Sequence, residues 1–210
     1  MRHPGGPGGA FLMHFLRKIK RIPIFACYHS SSKREGEREM SRWRKRMLTV
    51  LFLCYAAVLV WAILCKLQPP SEILAEQMDK PVLNLYPFRL DRSSPDLIRN
   101  QLREIRANIL LFVPMGLYLS LLWGPGRGRR TLLTALAVSY SLEAAQYILR
   151  IGNADVTDLI TNTAGALLGL GLYVLFTKLL GKRTEGILTG VALVCTVAIL
   201  TLMAVMILMN

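Results

Sequence analysis

The chain has 210 residues, is 53% hydrophobic and carries a formal charge of +13. A soluble nucleic-acid binder accounts for the charge but leaves the apolar content unexplained, so nucleic acid is not an expected partner. Crossing about 30 Å of hydrocarbon takes about 20 mostly apolar residues. Stretches near that length recur along the chain, which reads as an all-α, polytopic integral membrane helical bundle with about five transmembrane helices.

Residues 1–46 carry twelve Lys or Arg. The openings MRHPGGPGGA and HSSSKREGERE lack the apolar content of a packed segment, so this basic tail is expected to be disordered. Its middle, HFLRKIKRIPIF, suits anionic lipid headgroups. The apolar run FLMHFL is too short, and is broken by His14, for a cleavable signal peptide. Met40 opens MSRWRKR directly before the first span and is favoured over Met1 as the start of translation.

The first span, 47–65, holds no charged residue. An external loop, 66–107, is expected next. Within it VLNLYPFRL, residues 82–90, reads as extended, because Pro87 forces Tyr86 out of helical geometry. Ser94 and Pro95 then have the form of an N-cap and first helical residue. Leu97, Ile98, Leu102 and Ile105 oppose Arg99, Arg103 and Arg106, predicting an amphipathic helix on the membrane surface that ends where the second span begins, at Asn108.

Further spans are expected at 108–123, 131–149 and 158–180, with an additional C-terminal helix at 187–209. All are read as helices, because in lipid the backbone must bond to itself. The positive-inside rule puts the N-terminus, the loop GPGRGRR and the loop holding Lys178, Lys182 and Arg183 in the cytoplasm, leaving the C-terminus outside. The seven Lys and Arg of residues 66–107 count against that orientation.

The stretch SLEAAQYILRIGNADVTDLITN, residues 141–162, interrupts two of these spans with polar groups. Glu143, Gln146 and Arg150 stand at i, i+3, i+7, and Asp155, Asp158 and Asn162 repeat that spacing. At about 100° per residue, each trio stays within about 60° and marks one helical face. Ser139 extends the first face. Gly165 and Gly169 continue the second as a seam for a neighbouring helix, with Pro114 and Gly116 as packing positions on the second span. Asn108 starts that span at the same level, so three helices are expected to bring polar groups to one outward-facing pocket. The structural alternative is that Asp155 and Asp158 cap a helix, Arg150 pairs with an acid, and Gln146 and Asn162 are hydrogen-bonding glue. Ionisable groups at membrane depth are costly, which favours function for the cluster as a whole.

NLYPF at 84–88, NILLFVPMG at 108–116, EAAQ at 143–146, then Arg150, Asp155, Asp158 and NTAGALLG at 162–169, together resemble the VanZ-like family of bacterial integral membrane proteins. The resemblance covers about residues 82–170. It carries family positions onto Asn84, Pro87, Asn108, Phe112, Pro114, Gly116, Glu143, Gln146, Arg150, Asp155, Asp158, Asn162 and Gly165. It implies an association with low-level resistance to teicoplanin, a lipoglycopeptide that anchors in the membrane, and it implies no reaction.

The expected function is a non-enzymatic factor of the cell envelope that binds a lipid-linked or amphiphilic ligand, such as a lipid-linked cell-wall precursor. Membrane lipids are the expected partners. Arg150, with Arg103 and Arg106, offers bidentate donors for phosphate or carboxylate, and Glu143 or Asp158 can accept from sugar hydroxyls. An intramembrane enzyme acting on lipid-linked substrates is the alternative, with carboxylates as general acid and base. Against it, His3, His14 and His29 all lie in the tail. A small transporter is a third reading, opposed by the lack of internal duplication. No cofactor and no metal are expected, since a site from Glu143, Asp155 and Asp158 would compete with Arg150. Cys27, Cys54, Cys65 and Cys195 are scattered and read as free thiols.

Overall fold

The computed structural model describes residues 42–64, 82–88 and 93–209. In chain order it contains α1 (Arg42–Leu64), β1 (Val82–Asn84), α2 (Pro95–Trp123), α3 (Gly128–Leu149), β2 (Asn153–Asp155), α4 (Val156–Leu180), a 3-10 turn (Gly181–Arg183) and α5 (Thr184–Met209). The expectations for residues 1–41, Cys65 and residues 66–81 of the loop lie outside the described residues. By length and composition α1 to α4 can each cross a membrane. In α5 the last charged residue is Glu185, and the sequence beyond it is apolar. The chain is an integral membrane protein built of helices.

Ser94 caps α2, its Oγ accepting from the Asp96 N–H at 3.2 Å, and Pro95 occupies the first turn where its missing donor costs nothing. From there α2 runs unbroken for 29 residues to Trp123. The surface helix expected before Asn108 is therefore not a separate element: it is the first turns of the second span. No Gly or Pro after Pro95 interrupts it before Pro114, and at 1.5 Å per residue the helix is about 43 Å long, longer than the hydrocarbon layer.

Pro114 sits inside α2 without ending it. The missing N–H of a proline loosens the preceding turn, and an unmet carbonyl is expensive in lipid. The carbonyl that Pro114 leaves without an N–H is that of Leu110, and the Tyr55 hydroxyl of α1 donates to the next one, that of Leu111. Tyr55 also stacks on Tyr118, with ring centroids 5.6 Å apart. The Tyr118 hydroxyl in turn bonds Thr196 Oγ1 at 2.8 Å and donates to the Ala192 carbonyl at 3.3 Å, joining α2 to α5. Polar side chains thus link three helices within an otherwise apolar core of Leu48, Leu59, Phe112, Met115, Leu119 and Leu170.

The closest approach is between α2 and α4. A Cβ placed on Gly116 would lie 2.0 Å from the Ala166 carbonyl oxygen, one on Gly165 2.2 Å from that of Ile109, and one on Gly169 2.1 Å from that of Val113. The two backbones touch along three successive turns, a contact that only residues without a side chain permit.

Arg44 in the first turn of α1 pairs with Glu185 in the first turn of α5 at 3.5 Å. At the opposite end Gln146, near the end of α3, donates to the carbonyl of Ile63, near the end of α1. One end of the bundle therefore gathers Arg42, Arg44, Lys45 and Arg46 with the α2–α3 turn and its three arginines, one of which, Arg130, stacks on Trp123 at 3.8 Å. The other end holds the α3–α4 hairpin.

Gly165→Leu and Gly116→Leu must force α2 and α4 apart, a cost of about 3 kcal/mol or more. Thermal unfolding in detergent should show a large loss for both. Gly171→Ala, where a Cβ meets open space, should fall within about 0.5 kcal/mol of the parent.

Candidate functional site

The α3–α4 hairpin begins on α3, where Ser139, Glu143 and Gln146 stand at i, i+4, i+7 and are all buried. The helix ends at Leu149. Arg150 is its C-cap in the left-handed region, with φ 58° and ψ 31°, and its N–H returns to the Gln146 carbonyl. The expected i, i+3, i+7 face therefore stops at Gln146. Arg150 is exposed at the turn, not in line with Glu143, because helical spacing no longer applies once the chain reverses. Gly152 then packs on Gln146 so closely that a Cβ there would lie 3.2 Å from Nε2.

Asn153 to Asp155 form β2, which pairs in parallel with β1: Val82 with Asn153, Leu83 with Ala154, Asn84 with Asp155. Asp155 precedes α4 as its N-cap, so the second expected trio also begins off the helix, and only Asp158 and Asn162 lie on α4 itself. Asp155 is engaged through its N–H and both carboxylate oxygens. Its N–H donates to Glu143 Oε2 at 2.9 Å, its Oδ1 accepts from the Thr157 N–H at 2.7 Å, and its Oδ2 accepts from Asn84 Nδ2 at 2.8 Å. The cap satisfies an orphan donor of α4 and sets negative charge against the positive end of the helix. The Phe88 N–H adds a bond to Thr157 Oγ1 at 3.0 Å, and the Tyr86 N–H one to Asn84 Oδ1 at 3.1 Å, so the NLYPF segment is fastened to the start of α4 at both ends.

One turn further in, Asn162 Nδ2 bonds Ser139 Oγ at 2.9 Å. Gln146 Nε2 donates to the Ile63 carbonyl at 3.1 Å. These bonds leave three oxygens buried without a partner: Glu143 Oε1, Gln146 Oε1 and Asn162 Oδ1, on residues only 8%, 5% and 0% exposed. All three are acceptors.

Among the sequence-derived candidates, Glu143 and Asp155 bond each other, Asn162 bonds Ser139 one turn before Glu143, Gln146 bonds the end of α1, and Asp158, half-buried, lies one turn from Asn162. Asn108 is half-buried on α2 next to Ile109, whose carbonyl faces Gly165, which places it at the level of Asn162 and Gly165. Arg103 and Arg106 are exposed on the turns of α2 before Asn108. Among the described residues no three His, Cys, Asp or Glu side chains stand close enough to share a metal ion. Residue spacing gave no sign of the β1–β2 ladder or of Thr157. Two strands of three residues carry no usable periodicity, and Asn84 meets its partner 71 positions away.

Residues 52–177 match the protein family described as VanZ/LLP1. The chain is also similar to Protein VanZ of Enterococcus faecium, with 34% identity over 134 residues that span 63% of this chain and 77% of that protein. No solved structure matches the chain. With more than half of its length matched to the family, and with Glu143, Asp155 and the glycine seam all inside the matched region, the chain belongs to the VanZ/LLP1 family.

Proposed function

We propose that this membrane protein acts in the bacterial envelope by holding the polar head of a lipid-linked or amphiphilic ligand at the α3–α4 hairpin, and through that binding contributes to teicoplanin resistance. The observation that carries this reading is the group of three buried, unpartnered acceptor oxygens at one end of the bundle. Unpaired polar atoms at membrane depth cost more than elsewhere, since no bulk water relieves them, and such residues are retained where something binds. A lipid-linked cell-wall precursor fits this reading, because its apolar chain stays in the bilayer while its head meets the cluster. The exposed arginines at the same end, Arg150 on the hairpin and Arg103 and Arg106 on α2, suit its phosphate.

Orientation follows from charge. The end that gathers the basic turns is assigned to the cytoplasm and the hairpin end to the outside, where cell-wall intermediates and glycopeptides are found. In a background with all four cysteines replaced by Ser, Asn153→Cys is expected to react with a membrane-impermeant maleimide in intact cells, and Arg127→Cys only after permeabilisation. The reverse pattern would invert the assignment.

Expression in a teicoplanin-sensitive bacterium should raise tolerance. Glu143→Gln should return it to the vector level with the protein still present in the membrane, and Arg150→Ala should lower it in part. Unchanged tolerance in both variants, with unchanged envelope lipid composition, would overturn the proposal.

A further inference from the structure

The chemistry of the unpaired atoms narrows the ligand. Gln146 is fixed in orientation, because its Nε2 donates to the Ile63 carbonyl, which can only accept; Oε1 is the atom left over. Glu143 spends Oε2 on the Asp155 N–H, and Asn162 spends Nδ2 on Ser139. The three open atoms are themselves acceptors, so they call for a guest that brings donors, which a phosphate or carboxylate does not. The place of such an anion is at the exposed arginines of the rim. Asp155 bonds Glu143 through its N–H and Asp158 stands in the first turn of α4, so three acidic side chains gather at this end and favour a positive guest. A hydroxyl brings one donor and no charge, whereas a primary ammonium brings three donors and a positive charge.

We infer that the buried floor formed by Glu143, Gln146 and Asn162 receives the primary ammonium group of an amphiphile's headgroup. This rests on the reading that an amphiphile binds at the hairpin, and it adds which end of the head goes inward. The phosphate of the same head then lies towards Arg150, giving a zwitterion two complementary ends. Asp155 against Glu143 and Gly152 against Gln146 close over the floor, so the head enters as the 150–155 turn moves aside.

The test is lipid retention by the purified full-length protein, read by native mass spectrometry with phosphatidylethanolamine, phosphatidylglycerol and phosphatidylcholine of matched chains. Phosphatidylcholine differs from phosphatidylethanolamine by three methyl groups that remove every ammonium donor. The ethanolamine lipid should be held about tenfold more tightly than the choline lipid, the scale of one charge-assisted hydrogen bond. Glu143→Gln should remove the difference between the ethanolamine and choline lipids. Asn162→Ala gives the same comparison if Glu143→Gln fails to fold. Equal binding of the ethanolamine and choline lipids, or binding of the glycerol lipid as tight as that of the ethanolamine lipid, overturns the ammonium assignment. If those lipids are nonetheless lost in Arg150→Ala, the amphiphile reading stands without it. Retention of all three lipids that ignores every variant overturns both. Displacement by soluble ethanolamine at the same concentration would overturn the assignment to a lipid and leave a free amine as the guest.

Discussion

Asp155 is the junction on which the hairpin end of this protein depends. A single residue bonds α3 through Glu143, starts α4 through Thr157 and holds β1 through Asn84. Each bond alone is a modest contribution of about 1 kcal/mol. Together they fix three chain segments that have no apolar reason to meet. The hairpin must turn sharply at the end of the membrane layer, where backbone groups leave helical pairing and need other partners. Asp155 and the short parallel ladder supply those partners, and in doing so they hold Glu143 with one oxygen bonded and one open.

That arrangement requires a rigid scaffold beneath it. The Gly116, Gly165 and Gly169 contacts bring α2 and α4 to backbone distance, and the Tyr55–Tyr118 pair ties α1 and α5 to α2 through hydroxyls. In a bilayer the apolar surface of a helix gains little by leaving lipid, so close backbone packing and interhelical hydrogen bonds carry the association. Between α1, α2 and α5 the hydroxyls of Tyr55 and Tyr118 follow this rule. The cluster at the hairpin end leaves three acceptors open, and at the opposite end Trp123 Nε1 and Thr131 Oγ1 are also buried without a partner. What distinguishes the hairpin end is that its three open atoms are all acceptors on residues within a turn of one another or of a shared partner, whereas the α2–α3 end leaves one indole N–H and one hydroxyl.

Much of this was legible in the residues. Ser94 and Pro95 announced the start of α2, and Gly165 and Gly169 marked the seam of α4, because capping and close packing depend on local chemistry. The partner of the seam was harder to read, since GxxxG spacing does not say which helix approaches. The polar faces were legible as far as the helices extend. Helical spacing does not reach Arg150 and Asp155, which flank the helices, with Arg150 in the left-handed region and Asp155 as the N-cap that the structural alternative expected. The amphipathic pattern before Asn108 was real, but periodicity alone cannot separate a surface helix from the extension of a span. Least legible was the NLYPF contact, a long-range meeting of two very short strands. Asn84 entered through family resemblance, and its bond to Asp155 came only from the three-dimensional arrangement.

The central claim is that Asn84 and Asp155 act as one fastening between the NLYPF segment and the hairpin. A double-mutant cycle measures it: thermal unfolding in detergent of the parent, Asn84→Ala, Asp155→Ala and the double variant. The account predicts that Asp155→Ala costs more than Asn84→Ala, since it also removes the cap of α4, and that the double variant is milder than the sum by about 1 kcal/mol. Strict additivity of the two losses would contradict it.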